Sequence, residues 1–137
     1  MFKHTVEYTD FNGNQRKDDL YFHLSLPEVT RITAEIGKDI NEYIKELTDN
    51  KDLNELLKFI EMVMLNSYGQ KTMDGRTFQK TPEIRHAFEH SQAYAEIFEQ
   101  FMTNPDLARK FGEKVADSGK GQKNTVGPKV VSDAPQQ

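Results

Sequence analysis

The chain contains no cysteine. Disulfides, thiolate nucleophiles and zinc-cysteine centres are excluded by residue type alone, and a reducing compartment fits best. Long apolar runs are missing as well, so the sequence holds no segment of the length a bilayer span needs. Met1 to Asp10 alternate polar and apolar residues, without the basic start and apolar stretch of a secretory signal. Positive charge is not in excess. The 18 Lys and Arg against 22 Asp and Glu leave a net charge of -4, so the broad positive field that draws nucleic acid or an anionic membrane surface is absent and neither is expected as a partner.

Motifs for phosphate and acyl chemistry are lacking too. There is no Walker A run and no G-x-G-x-x-G, and Gly119-Lys120-Gly121 does not lie between a strand and a helix. None of Ser25, Ser67, Ser91, Ser118 and Ser132 occupies a G-x-S-x-G elbow. No cofactor is expected and the chain reads as a non-enzyme. The nearest approach to a metal motif is His86-Ala-Phe-Glu89-His90, which matches H-x-x-E-H and would set two histidines one helical turn apart. A catalytic zinc needs a third protein ligand, and a run of charged side chains at Glu83, Arg85, His86, Glu89 and His90 suits a solvated helix face. His4 and His23 could meet across a hairpin but lack a carboxylate to orient them. Asp10-Phe-Asn12-Gly13-Asn14 has its glycine two places too early for a calcium loop and reads better as a turn.

What the chain does contain is periodicity. Phe2, His4, Val6 and Tyr8 alternate with Lys3, Thr5, Glu7 and Thr9, Asn12-Gly13 favours a hairpin turn, and Leu20, Phe22 and Leu24 continue the alternation. A lone hairpin is marginal in water, so its apolar side must lie on helices or pair with further strands. Ser25-Leu26-Pro27-Glu28 is a capping box that opens a helix carrying Val29, Ile32 and Ile36. Gly37 separates it from an amphipathic stretch with Ile40, Tyr43, Ile44 and Leu47. From Asp52, the stripe Leu53, Leu56, Leu57, Ile60, Val63, Met64 and Tyr68 predicts a third helix. Gly69 to Lys80 reads as a loop, and Thr81-Pro82-Glu83 opens a helix running to about Met102. A short helix follows Asn104-Pro105, with Leu107, Ala108, Phe111 and Val115.

The expected fold is therefore α+β and mainly α, an N-terminal β-hairpin followed by about five helices. The globular domain spans residues 1–116, and residues 117–137 form a flexible, disordered polar tail in which Val126, Val130 and Val131 could at most add a short strand. The late helices carry more apolar surface than one packing face needs. Tyr94, Ile97, Phe98, Phe101, Met102 and Phe111 form an aromatic and methionine cluster of the kind that docks another helix, and Phe59 and Met62, off the main stripe of their own helix, are the next candidates for partner contact.

Val6-Glu-Tyr-Thr-Asp-Phe-Asn-Gly13, Leu20-Tyr-Phe-His-Leu-Ser-Leu-Pro-Glu28 and Ser67-Tyr-Gly-Gln-Lys-Thr-Met-Asp-Gly-Arg76 with Phe78 together resemble the tail assembly chaperones of long-tailed phages and prophages of Gram-positive bacteria. The likeness continues through Glu83-Ile-Arg85, Phe88 and Ala93-Tyr94 to Phe98 and covers roughly residues 2 to 116. The resemblance implies a self-associating protein of the infected host's cytoplasm, absent from the mature virion, that coats the tape measure protein and recruits tail tube subunits. It also implies a frameshifted longer product, for which Gly119-Lys120 is a candidate site. The competing readings are a tail-terminator or head-tail connector, which would be found in purified particles, and a small metal-dependent hydrolase using His86, Glu89 and His90, which would carry stoichiometric zinc.

Overall fold

One carboxylate builds the first turn. Asp10 Oδ1 accepts the backbone N–H groups of Asn12 and Asn14 at 2.9 Å each, and Oδ2 accepts Arg16 Nε at 2.8 Å. The Arg16 bond first, and the Asn14 amide next, hold the Asp10 carboxyl below the usual carboxylate range. Asp10 thus closes the hairpin turn. The computed structural model describes the backbone of residues 1–124 and the side chains of residues 1–119. On either side of this turn run β1 (Phe2–Thr9) and β2 (Gln15–Phe22), antiparallel from Phe2↔Phe22 to Thr9↔Gln15 without interruption.

The capping box at Ser25 is fully formed and starts α1 (Leu26–Ile36), which stops where Gly37 takes a φ of 77°, a left-handed value that glycine adopts without steric cost. Asp39 caps α2 (Ile40–Asp49), and Asp52 caps α3 (Leu53–Ser67). The inward stripe of α3 is not quite the expected one. Phe59 joins it, packed edge-on against Tyr43 at 4.9 Å between ring centroids, while Leu53 remains 41% exposed.

The region expected as a loop from Gly69 to Lys80 is instead a second hairpin, β3 (Tyr68–Lys71) and β4 (Phe78–Gln79). His23 N–H donates to Ser67 O at 2.9 Å, which carries the pairing on from the end of β2 directly into β3 and gives one antiparallel sheet of order β1-β2-β3-β4. Thr72 N–H to Thr77 O and Gly75 N–H to Thr72 O close its turn. Strands of four and two residues are too short to show alternation, which is why the pattern hid them.

The single helix expected from Pro82 to Met102 is two, α4 (Pro82–Glu89) and α5 (Gln92–Thr103), so the described residues hold six helices. Ser91 makes the break. Its backbone is extended and its side chain accepts Tyr94 N–H at 3.1 Å, so a residue that fits an apolar face by spacing is an N-cap. The last helix, α6 (Pro105–Asn124), passes the boundary expected at residue 117. Gly119 is buried at the place where α1 begins. Residues 125–137, including the Val126, Val130 and Val131 segment, lie outside the described residues.

The core forms where the sheet meets α5 and α6. The Phe111 ring, 1% exposed, lies 5.5 Å from Phe2, 5.0 Å from Phe22 and 5.0 Å from Phe101 between ring centroids, so one side chain joins β1, β2, α5 and α6. Ala108, Val115 and Ala116 continue the buried face of α6, and Gly112 lets the helix lie close to Ile44 of α2 and Ile60 of α3. Edge-on ring pairs of this kind add about 0.5–1.5 kcal/mol each to the burial of apolar area.

Two phenols tie the periphery to this core. Tyr94 donates to Glu61, and burial first, with that bond second, pushes its pKa well above the ordinary tyrosine value. Tyr8 donates to Asp18, and chiefly through that bond its pKa rises from 10.0 to about 12. Both folded values lie above the unfolded one, so the stability these phenols lend is whole below about pH 10 and is lost as pH rises through the folded values. Urea midpoints should fall more steeply between about pH 9 and pH 11.5 in the wild type than in Tyr94→Phe, and parallel curves would show that the Glu61 bond is not held in solution.

Candidate binding surface

The structure divides the eight expected partner-binding residues into two groups. Phe59 (7% exposed), Ile97 (0%), Phe101 (1%) and Phe111 (1%) belong to the core. Their assignment to an outer surface is corrected by the packing: the sheet and α6 both lie against α5, so the face of α5 that bears Ala93, Ile97 and Phe101 is enclosed. Phe59 is closed over by Tyr43 of α2.

The other four stay at or near the surface. Met62, Tyr94 and Phe98 are half-buried at the margin of the core, and Met102 is 48% exposed. Tyr94, Phe98 and Met102 follow one another at helical spacing along α5, next to the enclosed Ala93-Ile97-Phe101 row and about 100° around the helix from it. Tyr94 anchors the row, its ring edge-on to Phe88 at 5.2 Å and 6.3 Å from Phe98 between centroids. Exposure increases toward Met102, so the free end of the row lies where α5 gives way to α6.

A second apolar surface was not singled out by sequence reasoning. Leu47 and Thr48 of α2, Lys51 and Asp52 in the link, Leu53 and Leu56 of α3 and Pro105 of α6 line a shallow groove of about 290 Å³. Leu53 supplies its exposed wall. The available signal was the position of Leu53 at the first residue of its helix, where the stripe has only begun to enter the core.

A polar cleft lies under the β3–β4 hairpin. His23, Arg31, Lys71, Arg76 and Lys80 line it together with Glu28. Lys80 Nζ donates to Glu28 Oε1 at 2.6 Å and to His23 O at 2.8 Å, pinning β4 to the start of α1, and burial pushes the His23 imidazole pKa down. This ammonium is thus occupied in holding two elements together.

The histidines do not assemble. His4 stands opposite Leu20 in the sheet and bonds Gln100 at 2.9 Å, while His23 lies past the end of β2 beside Phe78. His86 and His90 do approach, 5.8 Å between ring centroids, but His90 Nδ1–H donates to His86 O at 2.8 Å and so serves to cap α4. Among the described residues no three His, Asp or Glu side chains gather as metal ligands, and no helix is long and apolar enough to cross a membrane.

The α+β scaffold encloses one aromatic core and leaves Met102 and the margins of Tyr94 and Phe98 at its surface. The chain belongs to the phage tail assembly chaperone family, whose model matches residues 1–116. That role is non-enzymatic, and it implies protein partners in tail assembly. No curated protein and no solved structure matches the chain.

Proposed function

We propose that the protein binds the tape measure protein in the cytoplasm of the infected bacterium, keeps it soluble, recruits tail tube subunits to it, and departs before the virion is complete. The observation that supports this reading is the Tyr94-Phe98-Met102 row, an apolar strip on a rigid helix in a member of the tail assembly chaperone family. Such a strip suits the apolar side of a client helix, read at one-turn intervals. The Leu53 groove offers a second contact of the same chemistry, and many weak contacts repeated along a long client give tight overall binding without any single strong site.

Met102→Ser and Leu53→Ser remove exposed apolar groups and should leave the melting temperature almost unchanged, because substitutions of exposed side chains typically stay within about 0.5 kcal/mol. Together they are expected to reduce co-purification of the co-expressed tape measure protein by about tenfold, which corresponds to about 1.4 kcal/mol. Undiminished capture by a folded double variant would remove this surface from the proposal. Finding the chain in purified particles in a few copies would favour a connector instead.

A further inference from the structure

Among the described residues β1 is an edge strand, since the sheet order places β2 on one side of it and no described strand on the other. The direction of its backbone groups follows from the two ends of β2. Asp10 N–H donates to Asn14 O across the first turn, and His23 N–H donates to Ser67 O on the opposite side of β2. In the alternation of an antiparallel ladder, Phe2, His4, Val6 and Tyr8 then direct their N–H and C=O groups toward β2, while Lys3, Thr5, Glu7 and Thr9 direct theirs outward. These four residues are exposed. Among the described residues, no backbone hydrogen bond outside the ladder engages them.

Edges of this kind are usually blunted by proline, a bulge or a covering segment. β1 has no proline, and its register with β2 is unbroken over all eight residues. What it does have is one cation and one anion placed symmetrically about Thr5, Lys3 two residues before it and Glu7 two residues after. A lone lysine at an edge repels strands indiscriminately. Lysine and glutamate in this spacing repel most strands and match their own reversed copy.

We propose that β1 pairs antiparallel with β1 of a second copy, centred on Thr5, so that the two sheets become one. The outward groups of each strand allow only certain registers, and charge selects among them. Centred on Thr5, Lys3 of each copy lies opposite Glu7 of the other, with two backbone hydrogen bonds at each of the three facing pairs. Centring on Lys3 or on Glu7 would set like charges opposite each other, and the two intermediate registers would set Lys3 opposite Thr5 with Glu7 opposite Met1, or Glu7 opposite Thr5 with Lys3 opposite Thr9, so that neither pairs opposite charges. The selected register also lays Phe2 beside Tyr8 of the second copy on the half-buried face. At each end of the seam it brings Met1, 51% exposed, to the Thr9 end of the other strand, next to Phe11, 76% exposed.

The test uses the full chain and two charge variants followed by sedimentation and native mass spectrometry. Lys3→Glu places glutamate opposite glutamate at both ends of the seam, and Glu7→Lys places lysine opposite lysine. Each alone is expected to associate at least about tenfold more weakly than the wild type, and an equimolar mixture of the two should form heterodimers of wild-type strength. Thr5→Pro, at a position whose N–H is unused in the monomer, gives up the exposed Thr5 Oγ1–Asp19 bond, so it should lower the melting temperature only slightly while abolishing the dimer. The proposal is overturned if the wild type is monomeric, if either charge variant dimerises as well as the wild type, or if the mixture shows no preference for heterodimers. A Thr5→Pro variant that still dimerises but loses capture of tail tube protein would assign the edge to a client strand and would equally overturn it. All of these readouts are independent of whether the tape measure protein is the client.

Discussion

Phe111→Ala is expected to destabilise the protein by about 3–5 kcal/mol, seen as a large drop in the urea midpoint and melting temperature. Four elements meet at this ring, which is 1% exposed and packs against Phe2, Phe22 and Phe101. Its removal forfeits the transfer energy of the ring and leaves a cavity that the neighbouring rings cannot easily fill, because each is held by further contacts: Phe22 also packs against Tyr68 and Phe88. A domain of this size has about 5–15 kcal/mol in total, so the variant should retain only part of its folded population near physiological temperature. If Phe111 were instead a contact for a client, the same substitution would leave the melting curve in place and abolish capture of the tape measure protein. The two outcomes are opposite, and the structure commits to the first.

The late helices show where a pattern of letters stops being informative. α5 carries two apolar rows side by side, Ala93-Ile97-Phe101 and Tyr94-Phe98-Met102. Spacing shows that both exist and that together they exceed one packing face. Which row turns inward depends on what lies on either side of the helix, and that was settled by β1, far away along the chain, and by the way α6 folds back after Asn104. The excess was legible, and its owner was not. Phe111 was misplaced for the same reason, since the partners of a residue on a short amphipathic segment cannot be read from that segment.

Elements whose signals are local came through better. Alternation revealed β1 and β2, side-chain oxygens just before apolar stretches located the starts of α1 and α4 at Ser25 and Thr81, and the apolar stripe from Asp52 located α3. β3 and β4 escaped because they owe their existence to pairing, Tyr68 entering the sheet directly from the last turn of α3 as the neighbour of Phe22. Lys3 and Glu7 were visible as polar members of an alternating strand. Their symmetry about Thr5 acquires meaning only once β1 is known to be an edge with its odd-numbered amides directed outward.

The last turns of α6 allow a test in which the sign of the effect decides. Sequence composition changes character after Ala116, and on that ground the chain was expected to loosen there. In the structure Ser118 Oγ accepts Leu24 N–H at 3.4 Å, and a Cβ placed on Gly119 would lie 2.6 Å from Leu24 O, 3.1 Å from Ser25 C and 3.2 Å from Leu26 N. Those atoms are the backbone leading into α1, fixed by the Ser25 capping box, and they cannot move aside as a flexible side chain could. Gly119→Ala should therefore push α6 away from α1 and lower stability by about 1–3 kcal/mol, the usual range for an overpacked contact. On an undocked helix end the same change would raise stability by up to about 1 kcal/mol, because alanine is the better helix former. A melting temperature that rises in Gly119→Ala would show that α6 is not docked at Gly119, and one that falls is the result expected if α6 grips the link between β2 and α1.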